Sequence, residues 1–236
     1  MLGIELGLVA IAVSIAFALP GRIVDRLGLG PSVVPTTTVI ALAIGTVGLS
    51  QAVNGMLELT RAHEGSVMVG MSRGLQRAEG WSLVVAFFGS VVGPAVGEEL
   101  LCRGLIQRSL ARYARPAIAI GLAALFFGWL HMELVHGVVA TSIGLYLGLA
   151  AYWSDSTRPA IAGHGLNNLA ALLGSAGILQ IRMPLYPSIA LGLGMAIGAL
   201  LWARRAHGQN QGPLGAESRL PEAEPELQQS RGSADS

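Results

Sequence analysis

Residues 84–104 read VVAFFGSVVGPAVGEELLCRG. An apolar run long enough to enter a bilayer ends on two adjacent glutamates, Glu98 and Glu99, with Arg103 close behind. A second apolar run, AIAIGLAALFFGWL at 117–130, follows. A charge near the middle of a membrane helix costs about 3 kcal/mol, so three cost on the order of 9 kcal/mol before any pairing. On helical spacing Glu99 and Arg103 share a face, with the acid on the favourable N-terminal side, and their pairing cancels much of that cost. Glu98 is turned about 100° away and needs a different partner. Cys102 is four residues from Glu98 but has no histidine near it in sequence, and an activated thiol needs a base or a positive field. It reads as a packing residue.

Composition defines the solvent around this stretch. The chain has 236 residues, 52% hydrophobic and 12% charged, which is about half the usual charged fraction of a soluble domain. Aromatic residues are only 6%, so the hydrophobicity comes from Ala, Leu, Val, Ile and Gly, the mix expected for closely packed membrane helices. A net charge of +1 without a basic stripe excludes a nucleic-acid partner. The single cysteine excludes an internal disulfide framework and any CxxC motif. All fifteen basic residues are arginines, which with the abundant Ala and Gly points to a GC-rich bacterial genome and hence a plasma membrane.

The expected fold is an all-α polytopic transmembrane helix bundle of about seven spans, at 2–20, 32–53, 81–102, 116–132, 137–153, 160–180 and 185–203, since about 20 apolar residues cross a bilayer. The first resembles a signal peptide at Ala16-Phe17-Ala18, but it lacks a positive n-region and reads as an uncleaved helix. Residues 1–80 form N-terminal helices and a polar loop, in which SVMVGMSRGLQRAEG suggests a short amphipathic helix at the interface. Residues 81–180 form the block that carries the polar motifs, 181–206 a last membrane helix, and 207–236 a polar tail with too little to bury to fold. With an outside N-terminus, nine arginines (22, 26, 103, 108, 112, 115, 158, 204, 205) face the cytoplasm against four (61, 73, 77, 182) outside. The positive-inside rule then places the C-terminus in the cytoplasm. GxxxG spacings at Gly89–Gly93–Gly97, Gly144–Gly148 and Gly194–Gly198 invite close helix approach, and Pro94 within the first set invites a kink.

Two further apolar segments present polar groups. FFGWLH sets Phe127 and His131 at i, i+4, and HGLNN sets His164 and Asn168 at i, i+4. If the chain turns around Ala114-Arg115-Pro116, Glu98 and His131 both lie about 21–22 Å from the turn and meet at one depth. His164 lies only five residues beyond Pro159. It reaches that depth only if the 98–131 hairpin protrudes or the sixth helix begins deep. In HMELVH, His131 and His136 are five apart and off a common face, and Glu133 and His136 read as interfacial residues.

EExxxR at Glu98–Arg103, FxxxH at Phe127–His131 and HxxxN at His164–Asn168, in that order on successive helices, resemble the motifs of the CAAX protease and bacteriocin-processing (CPBP) family, which includes type II CAAX prenyl proteases. The resemblance covers roughly residues 81–180. It implies an intramembrane endopeptidase acting on a membrane-associated peptide or protein, with the lipid bilayer as its other partner. Glu98 is then the general base that activates water, and His131 holds that water. His164 and Asn168 donate to the oxyanion, and Glu99–Arg103 is a supporting structural pair. No cofactor is needed. The alternative chemistry is zinc held by Glu98, His131 and His164 with water in the fourth position, although no HExxH occurs. A reading from another class is a non-catalytic transporter or immunity protein with a structural polar cluster, although no inverted repeat shows.

Overall fold

The computed structural model describes residues 2–62, 64, 66–76, 79–179 and 183–210, and among them there is no strand. Nine helices follow in order among the described residues: α1 (Leu2–Ala18), α2 (Ile23–Arg26), α3 (Thr36–Thr60), α4 (Val67–Leu75), α5 (Trp81–Leu110), α6 (Pro116–Trp129), α7 (Leu134–Ser154), α8 (Arg158–Ser175) and α9 (Leu185–Asn210). Four of them, α3, α5, α7 and α9, are long and apolar enough to cross a membrane. Among the described residues four such helices stand against the about seven spans expected. The apolar parts of α1 and α6 are shorter, Gly3–Ala18 and Pro116–Trp129, and the apolar run of α8, a continuous helix, is broken by His164, Asn167 and Asn168. Ile4, Phe17, Ile40, Leu125, Trp129 and Leu191 all point outward, as side chains in contact with lipid do.

Helix boundaries moved where local chemistry allowed. α3 runs on to Thr60, where Arg61 adopts a left-handed conformation and closes the helix, so the connection to α5 is shorter than the sequence suggests. The amphipathic segment forms α4. Residues 207–210 continue α9 and do not begin the polar tail. The rest of that tail, 211–236, lies outside the described residues, as do Arg77 and Arg182 of the arginine tally.

Two layers meet at the polar block. On one side α3, α7 and α9 share a core of Leu42, Ile143, Leu147 and Ala199. On the other, α1 and α2 pack on α5 through Ala12, Ala16, Leu27, Leu100 and Leu101. Small residues set the spacing: Gly48 of α3 and Gly192 of α9 meet backbone to backbone, and Gly93 and Gly97 of α5 lie against α1. The expected Gly194–Gly198 contact does not form, because space around both is open and Gly192, two residues before Gly194 on another face of the helix, takes the role.

α5 is continuous for 30 residues but not regular. It widens into π-helical turns at Phe88–Val92 and again at Leu100–Gln107, on either side of Pro94. Proline lacks an N–H and its ring crowds the preceding turn, and a π-turn supplies the missing room. The acids thus stand on a short α-helical segment between two widened ones.

Candidate active site

Arg103 is the pivot of the polar block. Its Nη1 donates to Glu99 Oε1 at 2.6 Å, with both side chains fully buried, as i, i+4 spacing predicts. Its Nη2 donates to the Gly144 carbonyl of α7 at 3.0 Å, and its guanidinium lies 4.5 Å from the centre of the Phe127 ring of α6. The close approach that exposes the Gly144 carbonyl depends on glycine, since a Cβ there would press on Phe127, Arg103 and α6. One guanidinium therefore ties together α5, α6 and α7. Gln107, one turn on, donates to the Gly148 carbonyl in the same manner.

Glu99 has a second task that its sequence spacing does not show. His164 Nδ1 donates to the same Oε1 at 2.9 Å, which orients the imidazole and leaves Nε2 directed toward Glu98 Oε2 at 3.9 Å. That distance is too long for a hydrogen bond, and a water seated to one side of the pair can reach both groups. Glu98 Oε2 is buried and has no partner. Of the two adjacent acids, Glu99 is tied through Oε1 to Arg103 and His164, its Oε2 having no hydrogen-bond partner, whereas Glu98 makes no side-chain hydrogen bond among the described residues.

His164 reaches this depth because α8 begins deep. Ser154, Ser156 and Thr157 are fully buried under the 27–30 turn. Thr157 Oγ1 donates to the Leu27 carbonyl, Thr157 N–H to that of Gly28, and Ser156 Oγ to that of Gly30. These bonds satisfy the polar chain end inside the protein. Two residues named from sequence stand further out. His131 donates from Nδ1 to the Phe127 carbonyl at 2.9 Å, and the Phe127 ring packs edge-on against both His131 and His164, at 5.1 and 5.7 Å. Asn168 is half-buried and accepts from Asn167 Nδ2 at 3.4 Å. Among the described residues no hydrogen bond joins His131 or Asn168 to Glu98.

HMELVH differs from expectation. Met132 takes a left-handed conformation and reverses the chain, bringing the His131 and His136 rings to 4.3 Å although they are five apart in sequence. Glu133 caps α7, accepting from the His136 and Val135 amides, and also from Ser66 Oγ before α4. Those backbone N–H groups, His136 first, hold its carboxyl below the ordinary range. An open cavity of about 450 Å³ lies beside this turn, lined by Trp129, Glu133, Val138 and Thr141. Cys102 is buried against Phe127 and Ala140, as a packing residue.

One residue was missed entirely. Glu5 of α1 is buried against Gly93 and Gly97, beside the acids of α5. In sequence an acid in the first turn of a helix reads only as a favourable partner of the helix dipole.

Fold and site together define an all-helical integral membrane protein with a buried acid–imidazole cluster. Residues 80–170 match the family model described as type II CAAX prenyl endopeptidase Rce1-like, which supports a CPBP/CAAX protease assignment for that segment. No curated protein and no solved structure matches the chain. Among the described residues no three His, Cys, Asp or Glu side chains are grouped to hold a metal ion.

Proposed function

We propose that this protein is an intramembrane endopeptidase in which Glu98 activates water for attack on a peptide bond of a membrane-associated protein or peptide. The observation that carries the reading is the division between the acids: Glu99 Oε1 takes hydrogen bonds from both Arg103 and His164, while Glu98 makes none among the described residues and its buried Oε2 faces His164 Nε2 at 3.9 Å. Glu98 takes a proton from that water, the hydroxide oxygen bonds to the carbonyl carbon, and the proton passes to the leaving amine as the C–N bond breaks. His164 serves the oxyanion from Nε2 in its doubly protonated form, with Nδ1–H kept on Glu99. Asn168 supplies a second donor after a side-chain rotation. His131 is held by the Phe127 carbonyl at the edge of the site and orients water or substrate from there. Glu99 and Arg103 keep His164 and the π-helical turn in place.

No cofactor enters this scheme, so chelation leaves the activity intact, and zinc dependence of cleavage would count for the metal alternative. The bilayer and a peptide substrate are the partners. The arginine distribution supports a cytoplasmic C-terminus in a bacterial plasma membrane. The test compares membrane-protein termini in cells carrying wild type or Glu98→Gln at matched expression. New termini with the wild type alone, reduced by about 10²–10⁴ in the variant, are expected. Equal termini in both sink the proposal in favour of a non-catalytic membrane protein.

A further inference from the structure

Glu5 is the buried acid that the proposed chemistry leaves unused. α1 crosses α5 where Gly93 and Gly97 remove side chains. A Cβ on Gly93 would lie 2.9 Å from Glu5 Cβ, and one on Gly97 would lie 2.9 Å from the Glu5 carbonyl and 3.5 Å from its Oε2. Gly97 is the residue before Glu98, so the Glu5 carboxyl is delivered to the start of the acid pair. Its Oε2 is buried and without a partner, as is Oε2 of Glu98.

A dipole role alone does not account for this placement. An acid stabilising a helix N-terminus gains as much facing solvent, where it keeps its hydration. Here α1, α5 and α8 bring three carboxyls, Glu5, Glu98 and Glu99, to one guanidinium and one imidazole, Arg103 and His164, all in the protein interior. Arg103 and the Nδ1–H of His164 are spent on Glu99. Each of the three carboxyls keeps a buried oxygen without a hydrogen bond, but only Glu99 has its other oxygen on Arg103 and His164, and charges in a protein interior interact more strongly than in water.

We propose that Glu5 is a positioning residue of the Glu98–His164 site, its carboxyl set beside Glu98 across the Gly93–Gly97 face of α5 so that the two acids hold protons and water as a coupled pair. This rests on the reading of Glu98 as the acid that activates water. It makes α1 part of the reaction centre, although α1 lies outside the 80–170 segment that matches the family.

The test uses the full-length protein as wild type, E5Q, E5D, E98Q and E5Q/E98Q. Thermal unfolding in detergent comes first, because it needs no substrate. Facing carboxyls give a cycle in which the double variant departs from the sum of the singles by about 2 °C or more, whereas independent sites add. An additive cycle overturns the proposal. Membrane-protein termini are then compared in cells at matched expression. E5Q, which keeps the side chain's shape, lowers the wild-type-dependent termini at least about tenfold, and E5D restores most of them. A folded E5Q with the wild-type yield overturns the role of Glu5 while leaving Glu98 in place. If E98Q also keeps the wild-type yield, the peptidase reading itself has failed, and Glu5 loses its function with it. The unfolding cycle distinguishes these failures, since it reads the Glu5–Glu98 contact without any activity.

Discussion

Replacing Arg103 with methionine should be the most damaging single change to the stability of this protein. The substitution keeps length and apolar stem but removes the charge. Glu99 Oε1 loses its 2.6 Å donor, the Gly144 carbonyl loses its 3.0 Å donor, and Phe127 loses the cation above its ring. Removing one partner of a buried ion pair typically costs about 3–5 kcal/mol, because the other charge stays behind uncompensated. In a chain of this size each kcal/mol lowers Tm by about 2–4 °C, so a drop of about 6–20 °C is expected. Thermal unfolding in detergent, followed by the fluorescence of the four tryptophans, reads it directly. The double variant E99L/R103M is the control. Replacing both members of a buried pair by apolar residues is often neutral or stabilising, so Tm should recover. Proteolysis should not, since His164 has then lost the acceptor of its Nδ1–H. A loss below about 1 kcal/mol for R103M would refute the argument, showing that water reaches Glu99 and that the pair is not dry.

Other perturbations follow from the same geometry. Gly128→Ala places a Cβ against Thr141 Oγ1 and the Gly137 carbonyl, where α6 meets α7. It should destabilise by about 1–3 kcal/mol, whereas Gly121→Ala, in open space on the same helix, should stay within about 1 kcal/mol of wild type; equal effects in an unfolding comparison would show that the close approach is not what matters. The Glu133 carboxyl is held low in the folded protein, so its cap on α7 is fully present above the ordinary glutamate range and is lost as pH falls through the depressed value. The protection of the Val135 and His136 amides from hydrogen exchange, relative to their intrinsic rates, should fall on acidification in wild type and be low at every pH in Glu133→Ala. Cys102 is fully buried, and maleimide should label it only after denaturation; rapid labelling of the folded protein would mean that the α5–α6 contact opens.

Sequence spacing was sufficient wherever interactions are local. The Glu99–Arg103 pair, the turn before Pro116 and the amphipathic α4 follow from helical geometry over a few residues. Membrane residence followed from composition, because in lipid every backbone polar group must be satisfied within the helices and the side chains facing out must be apolar. The ordered motifs at Glu98–Arg103, Phe127–His131 and His164–Asn168 pointed to the same family that residues 80–170 match. Span count was less legible, because hydropathy registers α1 and α6 as apolar without registering that they stop short.

What tertiary structure decided are the contacts between segments distant in the chain. That α8 starts deep depends on Leu27, Gly28 and Gly30 covering Ser156 and Thr157 from more than 120 residues away, which no hairpin count contains. The division between Glu98 and Glu99 was half visible: the arginine is local, but His164, which claims Glu99 as well and leaves Glu98 free, comes from another helix. Glu5 was invisible for the same reason. In sequence it is an acid near a helix start; only the crossing of α1 over Gly93 and Gly97 makes it a neighbour of the site. Local spacing specifies which groups can share a helix face, while the packing of small residues specifies which faces meet, and the chemistry of this protein lies where they do.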